Sequence, residues 1–355
     1  MKKKLLYCLI SAAAVIALLF CLQRVLMPKY TTEAQEGQLI AEYYSSEKNH
    51  NVIFIGDCEV YENFSPVTLW ENYGISSYFR GSPQQLIWQS YYLLEETLKY
   101  EIPEAVVFNV LSMKYGEPQN EAYNRLTLDG MKWSLTKIKD IIASQTEEET
   151  FSSYVFPILR FHARWSELTK DDIKFAFKKQ PALSVNGYLM RIDAKGIDKL
   201  PKGQKLTDYS FSDTCWDYLE KMRLLCEENG IEFILIKAPS VWPYWYDEWE
   251  KQIVAYAAEK GLRYYNFLDC AEEIGIDYMT DTYDAGLHLN LSGAQKLSGY
   301  FGKILSEEIG IRDFRSDKAC AASWSGICDR YYRIKAKQEE LLQTNGSLDG
   351  FTVIE

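Results

Sequence analysis

Short apolar runs alternate with amphipathic stretches along most of the chain. Four runs are almost continuously apolar, as expected of strands buried on both faces of a sheet; they lie at residues 51–56, 105–111, 232–237 and 262–268, with a weaker run at 75–79. Helical stretches fall between these runs, at residues 84–100, 215–229 and 245–260. Strands that alternate with helices of this length predict a doubly wound α/β fold with a parallel sheet.

Residues 112–214 interrupt this alternation. They show helical periodicity near 130–145 and 167–179, and turn signals such as Asn186-Gly187. We interpret them as a helical insertion between the third and fourth strands of one domain at 51–316. The polar residues 27–50 are predicted to form a stalk or a first helix beneath the domain. The tail at 317–355 shows no clear hydrophobic period, which predicts a loosely packed C-terminal extension.

The N-terminus has the pattern of a membrane segment. Three lysines at positions 2–4 precede an uncharged, mostly apolar run at 5–22, and Arg24 follows it. Eighteen residues are near the lower limit for crossing about 30 Å of hydrocarbon. No small-residue cleavage site follows, which favours an uncleaved signal anchor over residues 1–26. The lysines place that end in the cytoplasm, so we expect a single-pass cell-membrane protein with an extracytoplasmic domain.

The net charge argues against one class of partner. The chain carries −11, and its first 26 residues hold four basic and no acidic groups, so 35 basic and 50 acidic groups remain, a net charge of −15. Such a domain is repelled by nucleic acid and by anionic lipid headgroups. Nucleic-acid binding is therefore not expected.

Cysteine and histidine usage argues against a metal site. No two cysteines are spaced as CxxC and the chain has only three histidines, so no metal or other cofactor is expected. In an oxidising compartment, Cys320 and Cys328 could close a short disulfide loop.

Candidate chemistry lies where the first predicted strand ends, at Gly56-Asp57-Cys58. Ligands of doubly wound sheets bind at the carboxyl ends of the strands, and helix N-terminal amides there can lower the pKa of a thiol and bind an oxyanion. His288 lies in a loop ahead of the last amphipathic helix, and Asp284 can fix its tautomer. A nucleophile, a base and a group that orients the base together indicate acyl transfer.

Three short blocks carry a resemblance to the SGNH, or GDSL-type, hydrolases and acyltransferases. Gly56-Asp57-Cys58 is similar to the GDS block that opens these proteins, with cysteine in place of serine. Residues 79–82 resemble their second block. Residues 284–294 resemble their closing Asp–His block, in the HLNxxGA form of surface-polysaccharide acyltransferase relatives. The predicted order of strands and helices resembles that of the family over about residues 50–305.

The resemblance implies a flavodoxin-like sheet of the SGNH type and a role for each matched residue. Cys58 would be the nucleophile, His288 the base and Asp284 its partner, although three residues separate Asp284 from His288 where the family usually has two. The backbone amides of Cys58 and Gly81 would bind the oxyanion. Asn109 would be a further oxyanion or substrate ligand, although it lies within the third strand and outside the family's GxND context.

The function implied is hydrolysis or O-acyl transfer on a surface glycan or similar hydroxyl-bearing polymer, through a Cys58 thioester. A membrane partner that exports the acyl group is implied by the same resemblance. Two alternatives stay open. The domain can be a non-catalytic SGNH-fold module that binds glycan or scaffolds an envelope complex, or a structural protein in which Cys58 forms a disulfide.

Two other groups of side chains have two interpretations each. The aromatic run at 241–249 can wall a sugar or acyl pocket, or can pack at the start of a helix. Arg125 and Asp129 resemble a charged pair near the site of related envelope proteins, but solvated helix charges explain them equally well. His162, between two arginines, is interpreted as a structural histidine of the insertion.

Overall fold

The computed structural model describes residues 2–29 and 37–354, and its centre is a five-stranded parallel sheet. The strand order is β2-β1-β3-β4-β5, the flavodoxin-like order, which confirms the predicted doubly wound sheet. The strands are β1 (Val52–Gly56), β2 (Ser77–Gly81), β3 (Ala105–Asn109), β4 (Glu232–Lys237) and β5 (Arg263–Asn266). The chain reverses its direction across the sheet between β1 and β3, so a crevice is expected at their carboxyl ends.

The described helices cover both faces of the sheet. In chain order they are α1 (Lys2–Leu26), α2 (Gln38–Tyr43), α3 (Cys58–Asn63), α4 (Pro66–Tyr73), α5 (Ile87–Thr97), α6 (Glu121–Leu128), α7 (Leu135–Ser144), α8 (Phe151–Val155), α9 (Ile158–Phe161), α10 (Lys170–Phe177), α11 (Asp213–Glu228), α12 (Asp247–Lys260), α13 (Ala271–Ile274), α14 (Leu291–Lys303) and α15 (Lys318–Asn345). Short 3₁₀ segments occupy Val110–Lys114 and His162–Ser166, and a π-helical segment, Ile304–Ile309, continues α14.

Strand β1 divides the hydrophobic core into two layers. Successive side chains of a strand point to opposite faces. Val52 and Phe54 accordingly pack with α3, α4, α14 and α15, whereas Ile53 and Ile55 pack with α5, α11 and α12. All four side chains are fully buried. Burial on both faces explains why this strand is continuously apolar in the sequence.

The insertion is helical only in its first part. Helices α7 and α10 confirm the two predicted periodic stretches at 130–145 and 167–179. The later residues return to the domain, where the amide of Phe79 in the edge strand β2 donates to the carbonyl of Asn186 at 2.9 Å. Leu183 and Tyr188 are buried in the same core layer as Val52 and Phe54 of β1. This part of the insertion therefore covers the open edge of the sheet.

The prediction of a loosely packed tail was wrong, because α15 is a 28-residue helix packed on the domain. Trp324 stacks on Trp70 with ring centroids 4.9 Å apart, and its indole N–H donates to Ser76 at 2.9 Å. The buried positions of α15 are spaced three, four or seven residues apart and so share one face of the helix, at Cys320, Trp324, Tyr331, Ile334 and Gln338. A cysteine and a glutamine in this stripe concealed its helical period.

The predicted disulfide between Cys320 and Cys328 is absent, and all eight cysteines are free. Both residues lie in α15, eight positions apart. At about 1.5 Å of rise per residue the helix separates them by about 12 Å, beyond the roughly 7 Å limit between Cα atoms that a disulfide can bridge.

Much of the predicted stalk belongs to the domain. Helix α2 buries Leu39, Ile40 and Tyr43, and the phenol of Tyr43 donates to Glu101 at 2.7 Å. The rest of the stalk includes residues 30–36, which lie outside the described residues.

Helix α1 is apolar and largely exposed. Its segment Lys3–Leu26, with a mean hydropathy of 2.7, is the one helix of the described chain long and apolar enough to cross a membrane. N-terminal signal sequences share this length and apolar character.

Candidate active site

The carboxyl end of β1 places Cys58 at the first position of α3. Asp57 caps this helix, its carboxylate accepting from the amide of Glu59 at 3.2 Å. Cys58 is partly exposed, and its amide belongs to the first helical turn, whose N–H groups have no acceptor within the helix. A Cβ atom on Gly56 would lie 2.7 Å from Val60, so glycine is required where the strand bends into α3.

Gly81 lies beside this turn, as predicted from the second block. It ends β2 and pairs with Gly56 in the neighbouring strand. A Cβ atom on Gly81 would lie 2.7 Å from the ring of Tyr61 and 3.0 Å from the carbonyl oxygen of Asp57. The backbone of Gly81 can therefore approach the Cys58 turn only because it carries no side chain. Its role as an oxyanion donor stays a prediction.

Asp284 holds His288 through two hydrogen bonds. One carboxylate oxygen accepts from the backbone N–H of His288 at 2.8 Å, and the other bonds the ring nitrogen Nδ1 at 2.6 Å. The extra residue between them relative to the family spacing is absorbed by the loop, in which Ala285 and Gly286 both have positive φ. Nε2 is left as the nitrogen that can take a proton from a nucleophile.

The structure brings Cys58 next to His288, about 230 residues later in the chain. Burial raises the pKa of the Cys58 thiol, and the neighbouring imidazole partly opposes that rise. Nε2 of His288 is buried and makes no hydrogen bond within the described residues, and the electrostatic influence of Cys58 on this imidazole shows that the two side chains lie close together. The two groups that the sequence predicted as nucleophile and base are therefore neighbours.

Neighbouring acidic groups raise the pKa of the His288 imidazole. Burial alone would lower the pKa of His288, but Glu62, Cys58 and Asp284 together raise it well above its ordinary value. A raised pKa of His288 favours its protonated form, and a raised pKa of Cys58 favours its thiol form. The imidazole of His288 must be neutral before it can accept the thiol proton. Acyl transfer through Cys58 and His288 is therefore expected to become faster as the pH rises.

Glu62 is a site residue that the sequence analysis missed. It lies one helical turn after Cys58, is buried, and places a carboxylate oxygen 3.7 Å from Nδ1 of His288. The phenol of Tyr283 donates to it, and the Tyr283 ring stacks on the imidazole with centroids 5.9 Å apart. Burial raises the pKa of Glu62. Its spacing of four residues from Cys58 on one helix was the available signal.

Asn63, also missed, fixes the loop that carries His288. Its side-chain oxygen accepts from the amide of Leu289 at 2.7 Å, and its amide group donates to Ser240 at 3.1 Å. Asn63 is fully buried. It therefore ties α3 to the His288 loop and to the segment that follows β4.

Asn109 does not reach the Cys58–His288 pair with a free donor. Its amide group donates to Asp57 at 3.0 Å and to Glu59 at 2.8 Å, and its oxygen accepts from the amide of Ala238 at 3.2 Å. The side chain is fully buried. Both amide hydrogens of Asn109 are therefore used within the protein, and its role as an oxyanion or substrate ligand stays a prediction.

Asn109 belongs to a buried polar cluster beneath α3. Lys237, at the end of β4, forms a fully buried ion pair with Glu59 at 3.0 Å. Burial and the charge of Glu59 raise the pKa of Asp57 to about 6, while Lys114, Asn109 and Lys237 oppose that rise. This cluster packs against the buried side of the start of α3. Cys58 lies on the more exposed side.

The aromatic run after β4 is mostly packed. Trp245 is buried and donates to Glu250 at 2.7 Å, and Tyr246 donates to the carbonyl of Gln204. Trp242 is 54% exposed. Only part of this run is therefore available to a ligand.

The candidate site does not include Arg125, Asp129 or His162. Arg125 is fully buried, not solvated, and pairs with Glu121 and Asp129 in the insertion. The ring of His162 contacts the carbonyl of Leu159 at an exposed position.

A cavity lies apart from the site, and no group of metal-ligating side chains is found among the described residues. Among the described residues, no three histidine, cysteine, aspartate or glutamate side chains are grouped to hold a metal ion. A cavity of about 890 Å³ lies between α2, the segment after α1 and the insertion. Its lining includes Glu42, Phe175 and Arg330 but not Cys58, His288 or Asp284.

Comparisons with known proteins give similarities of structure only. No family model matches the chain, and the search of curated proteins found no similar sequence. Solved structures are similar, among them the following three. One, from Desulfitobacterium hafniense DCB-2, is described as lipolytic and of the G-D-S-L family; it is 12% identical, with a TM-score of 0.37, and the match covers 72% of this chain and 100% of that one.

The other two come from Bacteroides. A protein of Bacteroides fragilis NCTC 9343 described as an acylhydrolase is 13% identical, with a TM-score of 0.36, and the match covers 76% of this chain and 95% of that one. A GDSL-like lipase of Bacteroides thetaiotaomicron VPI-5482 is 12% identical, with a TM-score of 0.36, and the match covers 78% and 98%. At such values the function must be argued from the side chains of this chain.

Proposed function

We propose that this protein is an acyl hydrolase or O-acyltransferase that works through a covalent thioester on Cys58. The observation that carries the proposal is the hydrogen bond between Asp284 and Nδ1 of His288 at 2.6 Å, which leaves Nε2 beside Cys58. A free cysteine at a helix start, next to an oriented imidazole, is the arrangement of a nucleophile and its base.

The reaction proceeds in two balanced steps. His288, once neutral, takes the thiol proton, and the sulfur attacks the carbonyl carbon of an ester. The oxyanion that forms is expected to accept from the amides of Cys58 and Gly81. It collapses to a thioester as the alcohol leaves with the proton from His288. Water or a hydroxyl of the acceptor then loses a proton to His288, attacks the thioester and restores the thiol.

The proposed setting is the outer face of a membrane. Helix α1 supports attachment to a membrane, because it is apolar and long enough to cross one. The acceptor, a surface glycan or other hydroxyl-bearing polymer, and an acyl-exporting membrane partner are proposed from the motif resemblance alone.

The second candidate is a non-catalytic domain of the same fold that binds glycan or scaffolds an envelope complex. Two observations favour it. Burial raises the pKa of the Cys58 thiol, and the amide hydrogens of Asn109 are used in the buried cluster. The structural alternative, in which Cys58 is part of a disulfide, is contradicted because Cys58 is free.

Hydrolysis of a chromogenic acetate ester by the full chain in detergent separates the two candidates. Wild type and the variants Cys58→Ser, Cys58→Ala and Cys328→Ala would be compared at pH 9. The enzyme proposal predicts loss of turnover in Cys58→Ala and no change in Cys328→Ala, whose thiol lies in α15 away from the site. Equal hydrolysis by wild type and Cys58→Ala would favour the binding domain.

A further inference from the structure

The end of α1 is fixed to the helical insertion. The guanidinium of Arg24 donates to the carbonyl of Ala176 at 2.6 Å, and that of Arg164 donates to the carbonyl of Leu26 at 2.6 Å. Just after the helix, the amide of Lys29 donates to Asp172 at 3.1 Å. Residues 3–22 of α1, in contrast, are exposed. The helix therefore leaves the domain from a defined position beside α9 and α10.

This attachment sets the distance between the insertion and any membrane that α1 crosses. The exposed apolar part of α1 extends to Leu22, and Leu26 already contacts the insertion. Four residues of helix correspond to about 6 Å. The polar layer on each side of the hydrocarbon is roughly 5–8 Å thick. The insertion would therefore lie at the level of the lipid headgroups.

The insertion exposes large apolar side chains at this level. Leu159 of α9 is 54% exposed and Trp165 is 73% exposed. Ile173 and Phe177 lie one turn apart on the same face of α10, while Phe175 between them is buried. Phe156, just before α9, is also exposed. Trp, Phe and Leu are the side chains that interfacial helices insert into the boundary between headgroups and acyl chains.

The same segment is basic in an otherwise acidic protein. Residues 156–179 carry six basic and three acidic side chains, a net charge of +3, whereas the whole chain carries −11. The repulsion from anionic headgroups expected of the domain as a whole is therefore reversed at this place. Basic groups flanking exposed apolar ones favour binding to an anionic membrane surface.

We infer that Phe156, Leu159, Trp165, Ile173 and Phe177 form an interfacial surface that inserts into the lipid bilayer around α1. The domain is then attached to the membrane at two places, the anchor and the insertion, and has a fixed orientation on it. The inference rests on α1 crossing the membrane and is independent of the proposed acyl transfer.

The test uses the full chain reconstituted in anionic vesicles that contain phospholipids brominated in the upper part of the acyl chain. Bromine quenches a tryptophan only at short range. Wild type would be compared with Trp165→Phe and with a matched control, Trp242→Phe, whose tryptophan is also exposed. Flotation with the vesicles and near-UV circular dichroism establish insertion and folding.

The interfacial surface predicts that Trp165→Phe loses at least half of the bromine-quenchable fluorescence and that Trp242→Phe retains it. Equal quenching in wild type and Trp165→Phe would overturn the inference, and so would failure of the folded chain to float with the vesicles. A photoreactive phenylalanine at position 177 supplies an independent readout. It should crosslink to lipid, whereas the same group at Leu200, exposed to 63%, should not.

Discussion

Asp284 bonds both the backbone N–H and the ring Nδ1 of His288, at 2.8 and 2.6 Å. One carboxylate thereby sets the position of the loop and the tautomer of the base. We predict that Asp284→Asn lowers the rate of Cys58 acylation by about 10²-fold or more, because the imidazole loses its fixed orientation. Single-turnover measurements with an acetate ester would check this. Asp198→Asn, at an exposed site, should leave the rate unchanged.

We predict that Glu62 influences the pH at which Cys58 becomes reactive. Its charge raises the pKa of His288 and contributes to the raised pKa of Cys58. In Glu62→Gln both pKa values fall, so the rise of Cys58 alkylation with pH should begin at lower pH than in wild type. Alkylation rates between pH 6 and 10 measure the shift, with Glu307→Gln as the exposed control. If the pH profile of Cys58 alkylation is the same in Glu62→Gln and wild type, the charge of Glu62 does not influence the Cys58–His288 pair.

Asn63 stabilises the His288 loop. In Asn63→Ala the amide of Leu289 loses its buried acceptor, which should destabilise the protein by about 2 kcal/mol. The loss of loop position should also slow Cys58 acylation. Denaturant unfolding in detergent measures the first effect and single-turnover kinetics the second. Asn345→Ala, at the exposed end of α15, is the control and should change neither.

The buried charge of Asp57 costs stability at neutral pH. Its pKa is raised to about 6 in the folded protein, so the folded state holds a proton that the unfolded state has released between about pH 4 and 6. A raised folded pKa gives stability that is present at low pH and lost as the pH rises through 6. Asp57→Asn keeps the helix cap without the charge.

We therefore predict that Asp57→Asn is more stable than wild type at pH 7.5, by about 1–3 kcal/mol, since two pKa units correspond to about 3 kcal/mol. The difference in stability between Asp57→Asn and wild type should become smaller as the pH falls toward 4. Asp317→Asn, which alters the exposed cap of α15, should show no such pH dependence. Thermal melting at pH 5 and 7.5 compares them, and an advantage that grows toward low pH would contradict the account.

The strands and the site neighbourhood could be predicted because their signals are local. Continuous apolar runs marked the strands, and the pairing of Cys58 with His288 followed from where β1 ends and from the family order of the blocks. The packing of α15 could not be predicted, because Cys320 and Gln338 weaken its apolar stripe.

The direction of a side chain was likewise inaccessible from sequence. Asn109 lies at the expected strand end, yet it donates to the carboxylates of Asp57 and Glu59, which are distant in sequence. Glu62 was missed because its contact with His288 joins α3 to a loop more than 200 residues later. Such contacts depend on tertiary packing, and the four-residue spacing of Glu62 from Cys58, the one local signal, does not identify His288 as its partner.

The central claim is that Cys58 forms a thioester with His288 as its base. Its most direct test is peptide mass spectrometry of the full chain, quenched with acid within one turnover of an activated acyl ester at pH 9. The account predicts an acyl adduct on the Cys58 peptide that hydroxylamine removes, and little adduct in His288→Asn. An unmodified Cys58 in wild type, or equal acylation in His288→Asn, would contradict it.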